Sequence, residues 1–189
     1  TEKPADDKTI RKVFADLHSH VAKQKPKKRR RAAAADETPV PATHNVPELS
    51  GAKILIVDDD IRNIYSLTSV LESYNVEILH AERGKDGILI LEQTPGIHVA
   101  LIDIMIPDMD GYETMQRIRA RPELAEVPLI AVTAKAMKGD RQKCLDAGAS
   151  DYIPKPVDLE LLLALLRVWI TRSREAAKQQ DLVSVEAAE

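Results

Sequence analysis

From Gly51 onward the chain alternates between two textures. Short apolar runs with no polar face, KILIV (Lys53–Val57), VALI (Val99–Ile102) and PLIAV (Pro128–Val132), read as strands buried on both sides. Between them lie longer stretches with the spacing of one helical face, roughly Ile61–Ser73, Gly84–Gln93, Tyr112–Arg121 and Asp140–Ala147. VEILH (Val76–His80) predicts a weaker strand between the first two helices, and DYIP (Asp151–Pro154) a fifth strand. Asp158 is placed to cap a last helix that reaches about Arg172. Strands alternating with helices in this way predict an α/β fold: a doubly wound, five-stranded parallel sheet of order 2-1-3-4-5.

Upstream the pattern is different. Ile10, Val13, Phe14, Leu17 and Val21 lie on one face of a helix over Asp6–Val21, too narrow to build a core. Lys23–Ser50 holds four prolines, a basic block and no periodicity, and reads as a linker. The expected organisation is an amphipathic helix in 1–24, a disordered basic and proline-rich linker in 25–50, the α/β domain in 51–173 and a flexible tail in 174–189. The first residue is Thr1, which suits a fragment of a longer protein as well as a chain that has lost its initiator methionine.

Composition narrows the classes. A length of 189 residues has room for one domain with extensions. The net charge of −3 is uninformative, but Lys25–Arg31 is almost all basic. With no aromatic residues among them and no DNA-binding unit beside them, these cations read as a solvated linker rather than a nucleic-acid site. The single cysteine, Cys144, fits a reducing compartment and reads as a small core residue. No apolar run is long enough to span a membrane, and no signal peptide is visible, so a cytoplasmic chain is expected.

In a doubly wound sheet, ligands bind beyond the carboxyl ends of the strands. The first apolar run is followed by Asp58, Asp59 and Asp60, the third by Asp103, the fourth by Thr133 and the fifth by Lys155. Strands 1 and 3 are neighbours in the expected order, so Asp58, Asp59 and Asp103 converge. Carboxylates crowded together repel each other, and a hard divalent cation with oxygen ligands, Mg2+, relieves that repulsion. Asp103 would keep one oxygen free to attack phosphorus and form an aspartyl-phosphate. The metal, Lys155 and Thr133 would then neutralise the oxygens of the transferred group.

These residues carry a resemblance. With VDDD after strand 1, DIMIPDMDG after strand 3, VTA after strand 4 and KP after strand 5, the stretch from about Ala52 to Arg172 resembles a response-regulator receiver domain, a flavodoxin-like fold. The resemblance implies a Mg2+ site with Asp59 as direct ligand, Asp58 through water, Asp103, and the backbone carbonyl of Met105. It makes Asp103 the phosphoacceptor, Thr133 and Lys155 the binders of the phosphoryl group, and Thr133 and Tyr152 the switch pair. It also implies a cis bond before Pro156, hydrolysis-tuning positions at Met105 and Lys135, and a histidine kinase or histidine phosphotransfer domain as partner. RNIYSLTSVLE, MDGYETMQRIR and LLALLRVW are similar to the C-terminal receiver of hybrid sensor histidine kinases, some of which carry a degenerate receiver upstream. KTIRKVFADLHSHVA looks like the last helix of such a domain. Pro154 departs from the pattern and leaves the aim of Lys155 open.

Other readings compete. An adaptor with the same fold would signal by occupancy, without phosphoryl turnover. An Asp-nucleophile phosphatase would want an Asp where Met105 stands, and a nucleotide-binding enzyme would want a glycine-rich loop after strand 1. No kinase catalytic domain is visible, so whether the chain acts as an enzyme beyond its own phosphorylation and dephosphorylation is left open. His18 and His20 lack the neighbours of a kinase or phosphotransfer histidine, and His44, His80 and His98 stand alone. In the last helix Leu159, Leu162, Leu163, Leu166 and Ile170 face the sheet, while Leu161, Leu165, Val168 and Trp169 widen the apolar arc beyond what one sheet face needs. The extra width suits either packing on the preceding helix or a surface for a second copy or an intramolecular partner.

Overall fold

The computed structural model describes residues 46–134 and 138–186. Five strands, β1 (Lys53–Val57), β2 (Glu77–Ala81), β3 (Val99–Asp103), β4 (Leu129–Thr133) and β5 (Asp151–Pro154), pair in parallel in the order β2-β1-β3-β4-β5. This is the expected doubly wound sheet. The helices are α1 (Ile61–Glu72), α2 (Gly84–Gln93), α3 (Gly111–Arg119), α4 (Lys138–Asp146) and α5 (Leu159–Glu186), with a 3-10 turn at Pro122–Leu124 that the apolar pattern did not signal.

Alternation along the strands splits the core in two. Leu55, Val57, Ala100, Ile102, Leu129 and Ala131 point to the face covered by Ile88, Leu91, Met115 and Ile118 of α2 and α3, with Cys144 of α4. Ile54, Ile56, Leu101, Ile130, Val132 and Ile153 point to the other face, against Ile64 and Leu71 of α1 and Leu162, Leu166 and Ile170 of α5. With both faces covered, the central strands β3 and β4 are buried at every position. That is why they read as unbroken apolar runs.

The helix starts are set by side chains. Asp60 accepts from the Arg62 N–H at 2.9 Å, Asp110 from Glu113 at 2.8 Å and Asp158 from Leu161 at 2.8 Å, each satisfying an amide that the first helical turn leaves open.

Two boundaries need correction. The linker expected to run to Ser50 ends earlier: Val46–Gly51 forms a turn, and Leu49 within it is fully buried. Two apolar residues, Val46 and Leu49, in a proline-containing segment give no periodicity, so the burial of Leu49 was not visible in the pattern. The tail expected from 174 is helical as far as Glu186. No glycine or proline interrupts 159–186, and Arg174 donates to the Glu48 carbonyl at 2.9 Å and the Ser50 carbonyl at 2.8 Å, tying the helix to the Val46–Gly51 turn. On α5, Leu161 and Val168 stay exposed, so packing on the preceding helix does not cover them, and Leu159, expected against the sheet, is also exposed. The helix predicted over Asp6–Val21, the basic block, His18, His20, His44 and Lys135 lie outside the described residues.

Candidate functional site

The strand register assembles the site. Val57 pairs with Ile102 and Asp103 with Val132, so Asp58, one residue beyond β1, falls level with Asp103 at the end of β3. Thr133 pairs with Pro154, which puts Lys155 one step beyond the end of β5. Asp58, Asp103 and Thr133 are buried, and Asp59 is exposed at the rim. A buried carboxylate must be paired or fully hydrogen-bonded, and here both Asp58 and Asp103 are paired with one ammonium. The Lys155 ammonium donates to Asp103 Oδ2 at 2.7 Å and to Asp58 Oδ2 at 3.0 Å. Asp103 Oδ1 accepts from the Met105 amide at 3.1 Å. Asp58 Oδ1 accepts from the Asp60 amide at 2.9 Å, and the Asn63 side-chain amide reaches both Asp58 oxygens at 3.1 Å.

Lys155 owes its aim to the backbone. Its own N–H donates to the Thr133 carbonyl at 2.7 Å, so the proline at 154 does not cost β5 its last tie to β4, and the next peptide, Lys155–Pro156, is cis. Burial pushes the Lys155 ammonium down, but bonds from Asp103 and Asp58 outweigh it, and its pKa is raised above the ordinary value. At the rim, side-chain and backbone bonds from Arg62 hold the Asp60 carboxyl at about 2, so this cap stays ionised.

Asp58, Asp59 and Asp103 each offer an oxygen within 4.8 Å of the others. Among the described residues, three carboxylates cluster with one ammonium that pairs with two of them, and the donors are all hard oxygens. Such a set suits a small divalent cation of the Mg2+ kind. Met105 is exposed beside it. Tyr152 lies half-buried on β5, level with Ala131 of β4, and packs into the same cluster as Tyr112. The sheet thus brings Asp58, Asp59, Asp103, Thr133 and Lys155 to one edge, with Tyr152 two residues back along the neighbouring strand from the Thr133 level. Asn63 was missed from the sequence. A polar residue one turn into a helix carries no motif, and only its position five residues after Asp58 hints that it folds back onto the strand end.

A family model for the response regulator receiver domain matches residues 54–167. The chain belongs to the response regulator receiver domain family. This receiver is 38% identical over 112 residues to protein PilH of Pseudomonas aeruginosa, covering 59% of this chain and 92% of PilH. It is also 36% identical over 135 residues to hybrid signal transduction histidine kinase L of Dictyostelium discoideum, covering 69% of this chain but only 8% of the kinase. Among solved structures, the receiver domain of sensor histidine kinase PA1611 from Pseudomonas aeruginosa, with a magnesium ion coordinated in its active-site cleft, is 34% identical with a TM-score of 0.60, covering 65% of this chain and 99% of that one. The Saccharomyces cerevisiae receiver of Ssk1, crystallised with the histidine phosphotransfer protein Ypd1, is 28% identical with a TM-score of 0.59, covering 64% and 90%. The receiver is therefore a two-component signalling module, homologous to phosphoacceptor domains. Among the described residues, no helix is long and apolar enough to cross a membrane.

Proposed function

We propose that Asp103 of this receiver takes a phosphoryl group from a phosphohistidine, with Mg2+ held by Asp58, Asp59, Asp103 and the Met105 carbonyl. A carboxylate oxygen of Asp103 attacks phosphorus, the P–N bond to the donor breaks, and the imidazole leaves with the electron pair and takes up a proton. The bound cation would neutralise charge on the phosphoryl oxygens. Lys155, already 2.7 Å from Asp103, moves onto the phosphoryl group without leaving the site, and the Thr133 hydroxyl at the end of β4 donates to it. Drawing Thr133 toward the phosphoryl group frees space into which Tyr152 turns, changing the outer surface of the β4–β5 side. The single observation that carries this reading is the bridge from Lys155 to both buried carboxylates. It places a cation where the new negative charge would arise.

The donor is a histidine kinase or a histidine phosphotransfer domain. Ile61 and Tyr65 stand exposed on α1, the helix that starts two residues after Asp59, and offer an apolar contact beside the site for such a partner. The likeness to hybrid kinases supports a place at the C-terminal end of such a kinase, with 1–24 closing an upstream domain and the basic segment linking the two. The exposed Leu161 and Val168 of α5 supply a surface for a second copy or for another part of the same polypeptide.

Intact mass after incubation with Mg2+ and acetyl phosphate, for wild type and Asp103→Asn, tests the central claim. A gain of one phosphoryl group in wild type alone is expected. No gain in wild type, with a beryllofluoride adduct also absent, would refute it.

A further inference from the structure

The side-chain amide of Asn63 lies 3.1 Å from each oxygen of Asp58. Equal distances, with acceptable angles at both oxygens, put the nitrogen in front of the carboxylate on its bisector. That is the position a cation takes when it chelates a carboxylate with both oxygens. The flanks are taken as well: Oδ1 by the Asp60 amide at 2.9 Å, and Oδ2 by the Lys155 ammonium at 3.0 Å. A carboxylate has about four acceptor positions, and here all four are filled. Of these donors the Asp60 amide is backbone and Asn63 reaches Asp58 on a short side chain from α1, whereas Lys155 arrives on a long one from beyond β5.

The two common hard cations differ in what they ask of such a group. Ca2+ takes six to eight oxygens and readily uses a carboxylate with both, whereas Mg2+ demands octahedral geometry, keeps several waters and binds carboxylates through one oxygen. Resting on the Mg2+ site proposed above, we infer that Asn63 is a specificity-determining residue for that site. By filling the chelating position of Asp58, it denies Ca2+ the bidentate contact it favours. Asp58 is left with one oxygen to offer, directly after Lys155 moves away or through water, which suits Mg2+. Asn63 neither touches the phosphoryl group nor ligates the cation. It acts through Asp58, and the two residues line one cavity of about 310 Å³ together with Ser66, Leu67 and Lys155.

The test is the ratio of Ca2+ to Mg2+ dissociation constants, measured by titration calorimetry on the full chain with each metal alone. Asn63→Ala is compared with wild type. Asn63→Ser, whose side chain is too short to span both oxygens, is measured beside it, and either variant that melts cooperatively reads the result. The expected result is a shift of the ratio toward Ca2+ of about tenfold, the scale of one hydrogen bond to a charged group. A ratio within about twofold of wild type would overturn the inference while leaving the phosphoacceptor reading intact. A wild type that binds neither cation would overturn the metal site itself, and the role of Asn63 with it.

Discussion

Gly111, the first residue of α3, packs directly on the backbone of Asp103: a β-carbon there would lie 2.3 Å from the Asp103 carbonyl oxygen and 2.7 Å from the Ile104 α-carbon. Neither neighbour is a flexible side chain, so neither can yield cheaply. The Gly111 N–H also donates to the Ile104 carbonyl at 3.0 Å, which pins the start of α3 beneath the strand end that carries the carboxylate. Gly111→Ala should therefore move Asp103 as well as destabilise the domain. A loss of about 1–3 kcal/mol in urea unfolding is expected from overpacking, together with slower phosphorylation at temperatures where the variant is still folded. Unchanged stability would mean that the α3 start shifts freely.

Among the described residues Lys155 is the sole cation paired with the two buried carboxylates, so Lys155→Met should separate two effects. Phosphorylation by acetyl phosphate should fall about 100-fold, because the donor that meets the developing charge is gone. Mg2+ should bind more tightly, because it no longer competes with the ammonium for Asp58 and Asp103. The ion pair also has a pH signature. Burial lowers the Lys155 pKa, the bonds from Asp103 and Asp58 raise it, and the net shift is upward. Its contribution to stability is therefore complete below the unfolded value of about 10.4 and is lost as pH rises through the higher folded value. Wild type should lose its advantage over Lys155→Met only in that alkaline range, read by urea unfolding at stepped pH. Equal pH dependence in the two proteins would refute the coupling.

The site was legible in the sequence because parallel strands end abruptly. Each of Asp58, Asp103, Thr133 and Lys155 stands at or just past the end of an apolar run, and the strand order alone makes those ends neighbours. The boundaries were less legible. Leu49 enters the core from a segment with no period, and α5 continues past the residues that pack on the sheet, a continuation that helix propensity and the bonds of Arg174 support. Contacts made by polar side chains leave no periodic trace at all, whether near in the chain, as Asn63 onto Asp58, or far, as Arg119 onto Gly148.

Arg119, the last residue of α3, turns its guanidinium inward to donate to the carbonyls of Gly148 at 2.9 Å, Ala125 at 2.9 Å and Val127 at 2.8 Å, with Ser150 Oγ at 3.3 Å. Gly148 takes φ +97, and a β-carbon there would meet the Arg119 side chain at 2.6 Å. One cation thus staples the approach to β4 to the approach to β5. Arg119→Ala should cost about 2–4 kcal/mol in urea unfolding, since several carbonyls lose their donor at once. Arg119→Lys should recover little of it, because a single ammonium cannot span that fan of acceptors. Full rescue by lysine would show that charge, not the fork, is what matters.

His98, just before β3, accepts the Lys53 amide at Nδ1 over 3.1 Å. Burial, then the charge of Arg174, lowers its pKa below the ordinary 6.5. A depressed pKa means that the fold favours the neutral ring, so this contribution is present above the unfolded value and is lost as pH falls through the folded one. Stability should therefore decline below about pH 6.5. His98→Asn, which keeps an acceptor near the same place but cannot titrate, should flatten that decline while preserving stability at neutral pH. An identical acid slope in the variant would assign the loss to carboxylates instead.

Helix α4 is held lightly, and its movement should be measurable through one atom. Among its described side chains, Cys144 alone is buried, in a cluster against which Tyr112 of α3 packs. Burial raises the Cys144 pKa, so the thiol is shielded twice, by lack of access and by lack of thiolate. It is also the only cysteine in the chain, so a thiol reagent reports α4 and nothing else. Native protein should label slowly, at a rate set by local opening. Tyr112→Ala, which removes a ring packed against the cluster that holds Cys144, should speed labelling by about tenfold or more through lost packing. Because α4 follows Thr133 by only a few residues, beryllofluoride with Mg2+ should also change the rate if Thr133 is drawn toward the occupied site. A labelling rate indifferent to beryllofluoride, in protein shown by calorimetry to bind it, would mean that the signal leaves the domain by a route other than α4.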